Sequence, residues 1–279
     1  MHTVASPAAL QAWSRERRGQ TIGLVPTMGF LHDGHVSLME QLRPQVDHLA
    51  VSIFVNPLQF GAGEDLDVYP RDLPGDLARC EQAGVDVVFT PEGSMYPEGF
   101  QTSVSVHELS TGLCGGRRPG HFDGVCTVVA RLFGLSGCTH AIFGEKDYQQ
   151  LAVLRRMTRD LALPVEVLGA PLVRDADGVA LSSRNKYLDP AQRKRARSLH
   201  RALFALRDAA ASGTKDARTL LALAAEQLEV DRLDYLELVD PDSLQPLDEV
   251  SGPARALVAA FVGSTRLIDN VAVLPPGAE

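Results

Sequence analysis

Thr21-Ile22-Gly23-Leu24-Val25-Pro26-Thr27-Met28-Gly29-Phe30-Leu31-His32-Asp33-Gly34-His35-Val36-Ser37-Leu38 holds, in one stretch, a strand, a glycine-bearing loop and the start of a helix. Thr21–Val25 is apolar and β-branched enough to lie buried on both faces, as a parallel sheet requires. Outward from it, runs of the same kind recur at Leu49–Val55, Asp86–Phe89 and His140–Phe143. A further run, Val165–Leu168, follows a periodic helix over Tyr148–Leu161. Strands alternating with helix-length stretches imply parallel strands joined by crossover helices. The first four runs each end in a segment dense in Gly, Pro, His, Asn or Lys, and in open α/β sheets ligands collect at the carboxyl ends of strands. The chemistry is expected on those loops.

Past residue 172 the pattern changes. A polar, loop-like stretch leads to a long helix starting near Asp189-Pro190, where an N-cap and a first-turn proline coincide. A second helix over about Ala217–Glu229 follows the Ser212–Thr214 break, and three strand-like runs close the chain: Leu233–Val239, Ala256–Val262 and Thr265–Ile268. The expectation is a Rossmann-like α/β domain over 1–172 and a smaller α+β domain over 173–279. The basic run Arg193-Lys194-Arg195-Ala196-Arg197 reads as a solvated helix face or an interface edge.

Composition removes several classes. The 279 residues are 45% hydrophobic and 22% charged, a globular mixture. With 35 acidic against 27 basic residues the net charge is -8, so no general attraction to nucleic acid exists and any phosphate must be held locally. Apolar runs such as Ala256–Val262 fall well short of the ~20 residues of a membrane helix, and the N-terminus lacks a secretory layout. The expectation is a cytoplasmic protein with no membrane partner. The four cysteines, Cys80, Cys114, Cys126 and Cys138, form no C-x-x-C pair and read as reduced, buried thiols.

Neither G-x-x-x-x-G-K-[ST] nor G-x-G-x-x-G occurs, so another device must hold phosphate. His32 and His35 fall where a helix begins, and residues three apart share a helix face. Orphan N–H groups and the helix dipole favour an anion there, and imidazole N–H groups add donors. Two other readings stand beside this one: capping or packing histidines, and a metal set built on His32, Asp33 and His35. A second cluster, Phe143-Gly144-Glu145-Lys146-Asp147-Tyr148-Gln149-Gln150, follows the fourth strand; Lys146 suits a phosphate and Asp147 ribose hydroxyls, while alone the pair reads as a cap and a solvated charge. A third, Leu181-Ser182-Ser183-Arg184-Asn185, sets two hydroxyls beside a guanidinium, a grip for outer phosphates or a polar linker.

Together the H-x-G-H stretch and the Ser-Ser-Arg loop resemble the HIGH-like and KMSKS-like signatures of the nucleotidyltransferase superfamily that includes class I aminoacyl-tRNA synthetases. Within it, Pro26 to Gly29, Val51 to Pro57 with Gln59-Phe60-Gly61, Tyr69-Pro70-Arg71, Arg118 to Phe122, Phe143 to Gln150 and Leu181 to Asn185 resemble the pantoate–β-alanine ligase family. The resemblance implies ATP-dependent joining of (R)-pantoate to β-alanine through a pantoyl adenylate, with Mg²⁺, in a homodimer. It implies that His32, His35 and the Met28 backbone meet the phosphates, with Lys146 beside them and Ser182, Ser183 and Arg184 over the outer ones. Gly144 and Asp147 would hold the ribose, main chain near Val173 the adenine edge, and Gln59 and Gln150 the pantoate. Asp76 matches the acidic position associated with Mg²⁺, although members often carry two acids where this chain has Gly75-Asp76. Cys114 stands where some relatives have glutamate; no step requires a thiol nucleophile. Three competing readings remain: an adenylyltransferase with a phosphate acceptor, a metal phosphohydrolase, and a non-catalytic ATP sensor.

Overall fold

A computed structural model describes residues 1–91 and 95–276 of the chain. Two compact units emerge: residues 1–111, 118–145 and 150–171 form the first, and 112–117, 146–149 and 172–279 the second. The main change of unit falls at Leu172, while two short segments, 112–117 and 146–149, pack with the second unit.

In the first unit, β1 (His2–Val4), α1 (Pro7–Arg15), β2 (Ile22–Thr27), α2 (Asp33–Leu42), β3 (His48–Ile53), α3 (Leu73–Gln82) and β4 (Val87–Phe89) come in chain order. After α4 (Leu113–Arg117), which belongs to the second unit, follow α5 (His121–Ser136), β5 (His140–Gly144), α6 (Tyr148–Asp160) and β6 (Glu166–Ala170). The six strands are parallel in the order β1-β4-β3-β2-β5-β6. From β2 the chain winds outward through β3 and β4, and from β5 the other way to β6. The order therefore reverses between β2 and β5, and the loops leaving those strands diverge there. Gly23 pairs with His140 and Leu24 with Ala141 across that junction.

The buried runs expected of parallel strands are present: Ile22–Val25 and Leu49–Ser52 are buried throughout. On one face α2 and α3 bring Leu38, Met39, Leu42 and Cys80 onto Val25, Val51, Val88 and Ile142. Full burial of Leu42 and Met39 removes each side chain from water, a gain of about 2–3 kcal/mol apiece. Two elements left no sequence signal. β1 is a three-residue edge strand. α5 is buried at Phe122, Val125, Val129, Leu132 and Leu135 and also between them, so no polar face marks its period.

In the second unit, Asp189 caps α7 (Pro190–Ala211) through a reciprocal box with Gln192, ahead of Pro190. α8 (Ala217–Ala225) ends earlier than the sequence pattern suggested. β7 (Arg232–Val239), β8 (Ala254–Val262) and β9 (Thr265–Val273) form an antiparallel sheet in that order. Leu199, Leu203 and Leu206 of α7 join Leu220, Leu238, Ala256 and Val258 in one core. β9 runs five residues past the expected Ile268, because the buried polar pair Asp269-Asn270 interrupts the apolar run yet is satisfied within the unit. In the basic run, Arg193 bridges Asp175 (2.5 Å) and Asp177 (2.8 Å), and Arg195 meets Asp231 at 2.9 Å.

Candidate active site

β2 ends at Thr27, whose hydroxyl donates to the Ser52 carbonyl (2.7 Å) and accepts from the Gly29 N–H (3.3 Å). The chain then turns through two left-handed residues, Gly29 at φ 83° and Phe30 at φ 52°. That conformation aims the Phe30 and Leu31 N–H groups at Asp76, which accepts them on Oδ2 (2.9 Å) and Oδ1 (2.6 Å). His32 is the N-cap of α2 and His35 its third residue. The His32 N–H donates to His35 Nδ1 at 3.2 Å, and the two rings lie 4.1 Å apart between centroids. With Nδ1 accepting, the neutral His35 ring carries its proton on Nε2, where it can be donated to an anion. The capping geometry of the pair thus leaves a ring donor on His35. Asp33 is not part of this group: its side chain is 81% exposed and pairs with Arg79 at 3.0 Å.

The loop after β3 is built around Asn56, which is 1% exposed. Its Nδ2 donates to Gln59 Oε1 and to the Gly124 carbonyl, both at 3.1 Å, and its Oδ1 accepts from the Tyr96 hydroxyl at 2.7 Å. Gln59 Nε2 in turn lies 3.2 Å from Met28 Sδ, so the loops after β2 and β3 meet through their side chains. The Gln59 carbonyl is held by His121 Nδ1 (2.8 Å) and Arg118 Nη2 (3.3 Å), and Arg118 also forks onto Glu64 at 2.7 and 2.6 Å. The guanidinium holds the Glu64 carboxyl below its ordinary range. Gly124 permits this arrangement: a Cβ there would stand 2.2 Å from the Leu58 carbonyl oxygen and 2.6 Å from the Gln59 nitrogen. Asn56, Arg118 and His121 stand within motifs of the sequence, but the Gly124 and Gln59 carbonyls that they hold lie 59 to 68 residues away, out of reach of a local reading.

Gly144 ends β5 beside β2. Of the two glutamines that follow, Gln149 is 4% exposed and belongs to the second unit, where it accepts from the Cys114 N–H and donates to the Gly112 carbonyl, each at 2.9 Å. Gln150 is half-buried and packs with the first unit. The first unit therefore carries Met28, His32, His35, Gln59, Asp76, Gly144 and Gln150.

The second unit carries Lys146, Asp147, Val173, Ser182, Ser183 and Arg184. Lys146 Nζ lies 3.7 Å from Asp147 Oδ2, and the Lys146 carbonyl accepts from Asn270 Nδ2 at 3.0 Å. Asn270, 2% exposed, receives Arg255 Nε on Oδ1 at 2.8 Å, and that guanidinium stacks 4.1 Å over Tyr148. The Val173 carbonyl accepts from the Leu181 N–H at 3.0 Å. The next residue, Arg174, forks onto Asp269 at 2.6 and 2.8 Å. Ser182 caps the short helical turn Ser183–Tyr187, its oxygen accepting the Arg184 N–H at 3.3 Å, which leaves its own proton for donation. Cys114 Sγ lies 3.1 Å from the Tyr235 hydroxyl and is buried. All four cysteines are free and buried, and burial pushes Cys80, Cys126 and Cys138 up to about 12. Such thiols are poor nucleophiles at neutral pH.

A family model described as pantoate-β-alanine ligase matches residues 2–272. The chain belongs to the pantoate–β-alanine ligase family. It is 50% identical to the pantothenate synthetase of Oleidesulfovibrio alaskensis, over 98% of this chain and 100% of that protein. A crystal structure of pantothenate synthetase from Thermus thermophilus matches with a TM-score of 0.94 at 50% identity, covering 99% of this chain and 100% of that one. A pantoate-β-alanine ligase from Francisella tularensis, solved in complex with β-γ ATP and β-alanine, matches at 32% identity and a TM-score of 0.80 over 97% of each chain. As a family member the chain is an enzyme, a ligase of pantoate and β-alanine.

The structure gives the Asp76 carboxylate main-chain partners. Asp76, expected at the metal, is 3% exposed with both carboxylate oxygens taken by main-chain N–H groups. A magnesium ligand instead presents an oxygen to a hydrated ion. Each Asp76 oxygen already accepts one main-chain N–H, and among the described residues no group of three or more His, Cys, Asp or Glu side chains is gathered to hold a metal ion.

Proposed function

We infer that the chain joins (R)-pantoate to β-alanine, converting ATP to AMP and diphosphate by way of a pantoyl adenylate. The observation that carries this reading is the histidine pair at the N-terminus of α2, where the sheet order reverses, in a chain matched to the ligase family over nearly its whole length. In the first step a pantoate carboxylate oxygen bonds to the α-phosphorus of ATP, the bond from that phosphorus to the bridging oxygen breaks, and diphosphate leaves. In the second, the neutral amine of β-alanine adds to the acyl carbon, the carbon–oxygen bond to phosphate breaks, AMP leaves, and the nitrogen gives up its proton. Charge gathers on phosphate oxygens in the first step, so donors fixed before reaction contribute most of the acceleration.

His35 Nε2–H, His32, the Met28 main chain and Lys146 serve as those donors, and Ser182, Ser183 and Arg184 take the outer phosphates. Gly144 and Asp147 serve the ribose and main chain at Val173 the adenine edge. Gln59 and Gln150 serve pantoate, because a neutral amide can donate to a carboxylate and accept from hydroxyls. The Gln59 amide is oriented by Asn56 and its main-chain carbonyl anchored by His121 and Arg118, which supports this assignment, since a substrate amide must be held in one orientation. Magnesium, when bound with ATP, would neutralise part of the phosphate charge. Residues 1–172 would form the ATP and pantoate domain and 173–279 a lid. A cytoplasmic homodimer is part of the same proposal.

The test is an omission series with ATP, Mg²⁺, pantoate and β-alanine. AMP and the amide should both appear only in the complete mixture, and labelled diphosphate should exchange into ATP with pantoate alone. Exchange driven by a phosphate ester instead of pantoate would replace this reading with that of a phosphate-acceptor adenylyltransferase.

A further inference from the structure

Loop 28–31 has the form of an anion-binding nest: two successive left-handed residues turn neighbouring N–H groups toward one point. In this chain the point is filled from within the protein. Asp76 sits in the first turn of α3, which is fixed by its own N-cap, Asp72, and it reaches across 46 and 45 residues to the Phe30 and Leu31 N–H groups. Phe30 is the informative residue. A phenylalanine at φ 52° is strained, and such strain persists only where the surroundings over-determine it. The bidentate carboxylate does so here. Gly29 is fitted to the same contact: its φ of 83° excludes most side chains, and a Cβ would come within 3.0 Å of both Asp76 Oδ2 and Ile53 Cγ2. His32 follows Leu31 directly, so the path of the nest sets where the N-cap lies, and the N-cap N–H in turn fixes the tautomer of His35.

We infer that Asp76 is a positioning residue of the histidine loop, an internal anion that occupies the nest and sets the His32–His35 pair, and that it does not ligate magnesium. This rests on the function proposed above for the pair. Because Asp76 already takes the Phe30 and Leu31 N–H groups, substrate phosphate meets the imidazoles, the helix end and the Met28 main chain instead of those two.

Two measurements test it. In the unmodified protein without nucleotide, amide resonances of Phe30 and Leu31 should stay in place as magnesium chloride is added to millimolar levels. Movement of both would show Asp76 leaving the nest for the metal and would overturn the inference, whatever reaction the protein catalyses. In Asp76→Asn an NH2 faces one of the two N–H donors. Single-turnover adenylate formation should fall by roughly 10²-fold, the ring nitrogen resonances of His35 should shift in the free protein, and the magnesium concentration giving half-maximal rate should be unchanged. A several-fold rise in that concentration with His35 unmoved would assign Asp76 to the metal. If the variant does not fold, the magnesium titration of the unmodified protein decides the matter.

Discussion

His35 accepts a hydrogen bond on one ring nitrogen and can donate from the other, which suits a histidine to its place. Nδ1 accepts from the His32 main chain, and so Nε2 is left as the donor. A lysine there would offer charge without a fixed direction, and an asparagine would offer a donor without the reach. His35→Ala should lower the single-turnover rate of adenylate formation by roughly 10²–10³, the loss typical of one transition-state donor. Quench-flow measurement of the adenylate checks this, and an unchanged rate would remove His35 from the mechanism. At the same scale the sequence was legible in residue type but silent about partnership. The histidines, Lys146 and the serine–arginine loop stood out because their chemistry is rare at strand ends. Asn56 and Asp76 did not reveal their tasks, because an amide and a carboxylate serve equally well as ligands, caps or braces until their partners are known.

At the scale of elements, α5 is brought against the turn Pro57–Gln59 by the absence of a side chain at Gly124. Gly124→Ala would force the turn away by about 1 Å or more, since its Cβ would otherwise stand 2.2 Å from the Leu58 carbonyl oxygen, and shift Gln59. Steady-state kinetics should then show KM for pantoate raised about tenfold or more, with KM for ATP nearly unchanged, and stability lowered by about 1–3 kcal/mol from overpacking. A parallel rise in both KM values would mean that the turn does not serve pantoate in particular. In the second unit, the Asp175–Asp177 turn is pinned to α7 by Arg193, whose bond to Asp177 lowers that carboxyl from its usual 3.8 to about 2. An acid whose folded-state value is depressed contributes stability that is fully present above the unfolded value and is lost as pH falls toward the folded one. Asp177→Asn should therefore melt lower than the parent at pH 7 and converge with it near pH 2, as followed by circular dichroism. A constant difference across that range would refute the linkage. The element boundaries follow the same logic. Helices with a cap and a polar face, such as α7, were readable, whereas α5, buried on nearly all sides, was not, and β9 was readable only as far as Ile268, where Asp269-Asn270 interrupts the apolar run.

For the molecule as a whole, the site residues belong to two units of separate core, and the segment Lys146–Gln149 is counted with the second although it follows β5 of the first. If Ser182–Arg184 close on the outer phosphates, ATP with magnesium should slow limited proteolysis at this loop several-fold. Equal cleavage with and without nucleotide would argue against closure. The local sequence determined the alternation of strand and helix, the caps at His32 and Asp189, the buried character of β2 and β3, and the residue types offered at each strand end. Those properties depend on neighbours within a turn of helix or the length of a strand, so they can be read along the chain. Only the tertiary structure decided which strands lie side by side, and with them which offered groups are already engaged. β2 and β5 are joined across 117 residues by the Ile22 N–H donating to Thr139, and Asp76 fills a nest 45 residues upstream of it. A hydrogen bond has no memory of sequence separation, so its partner is chosen by the winding of the sheet, which no local pattern encodes.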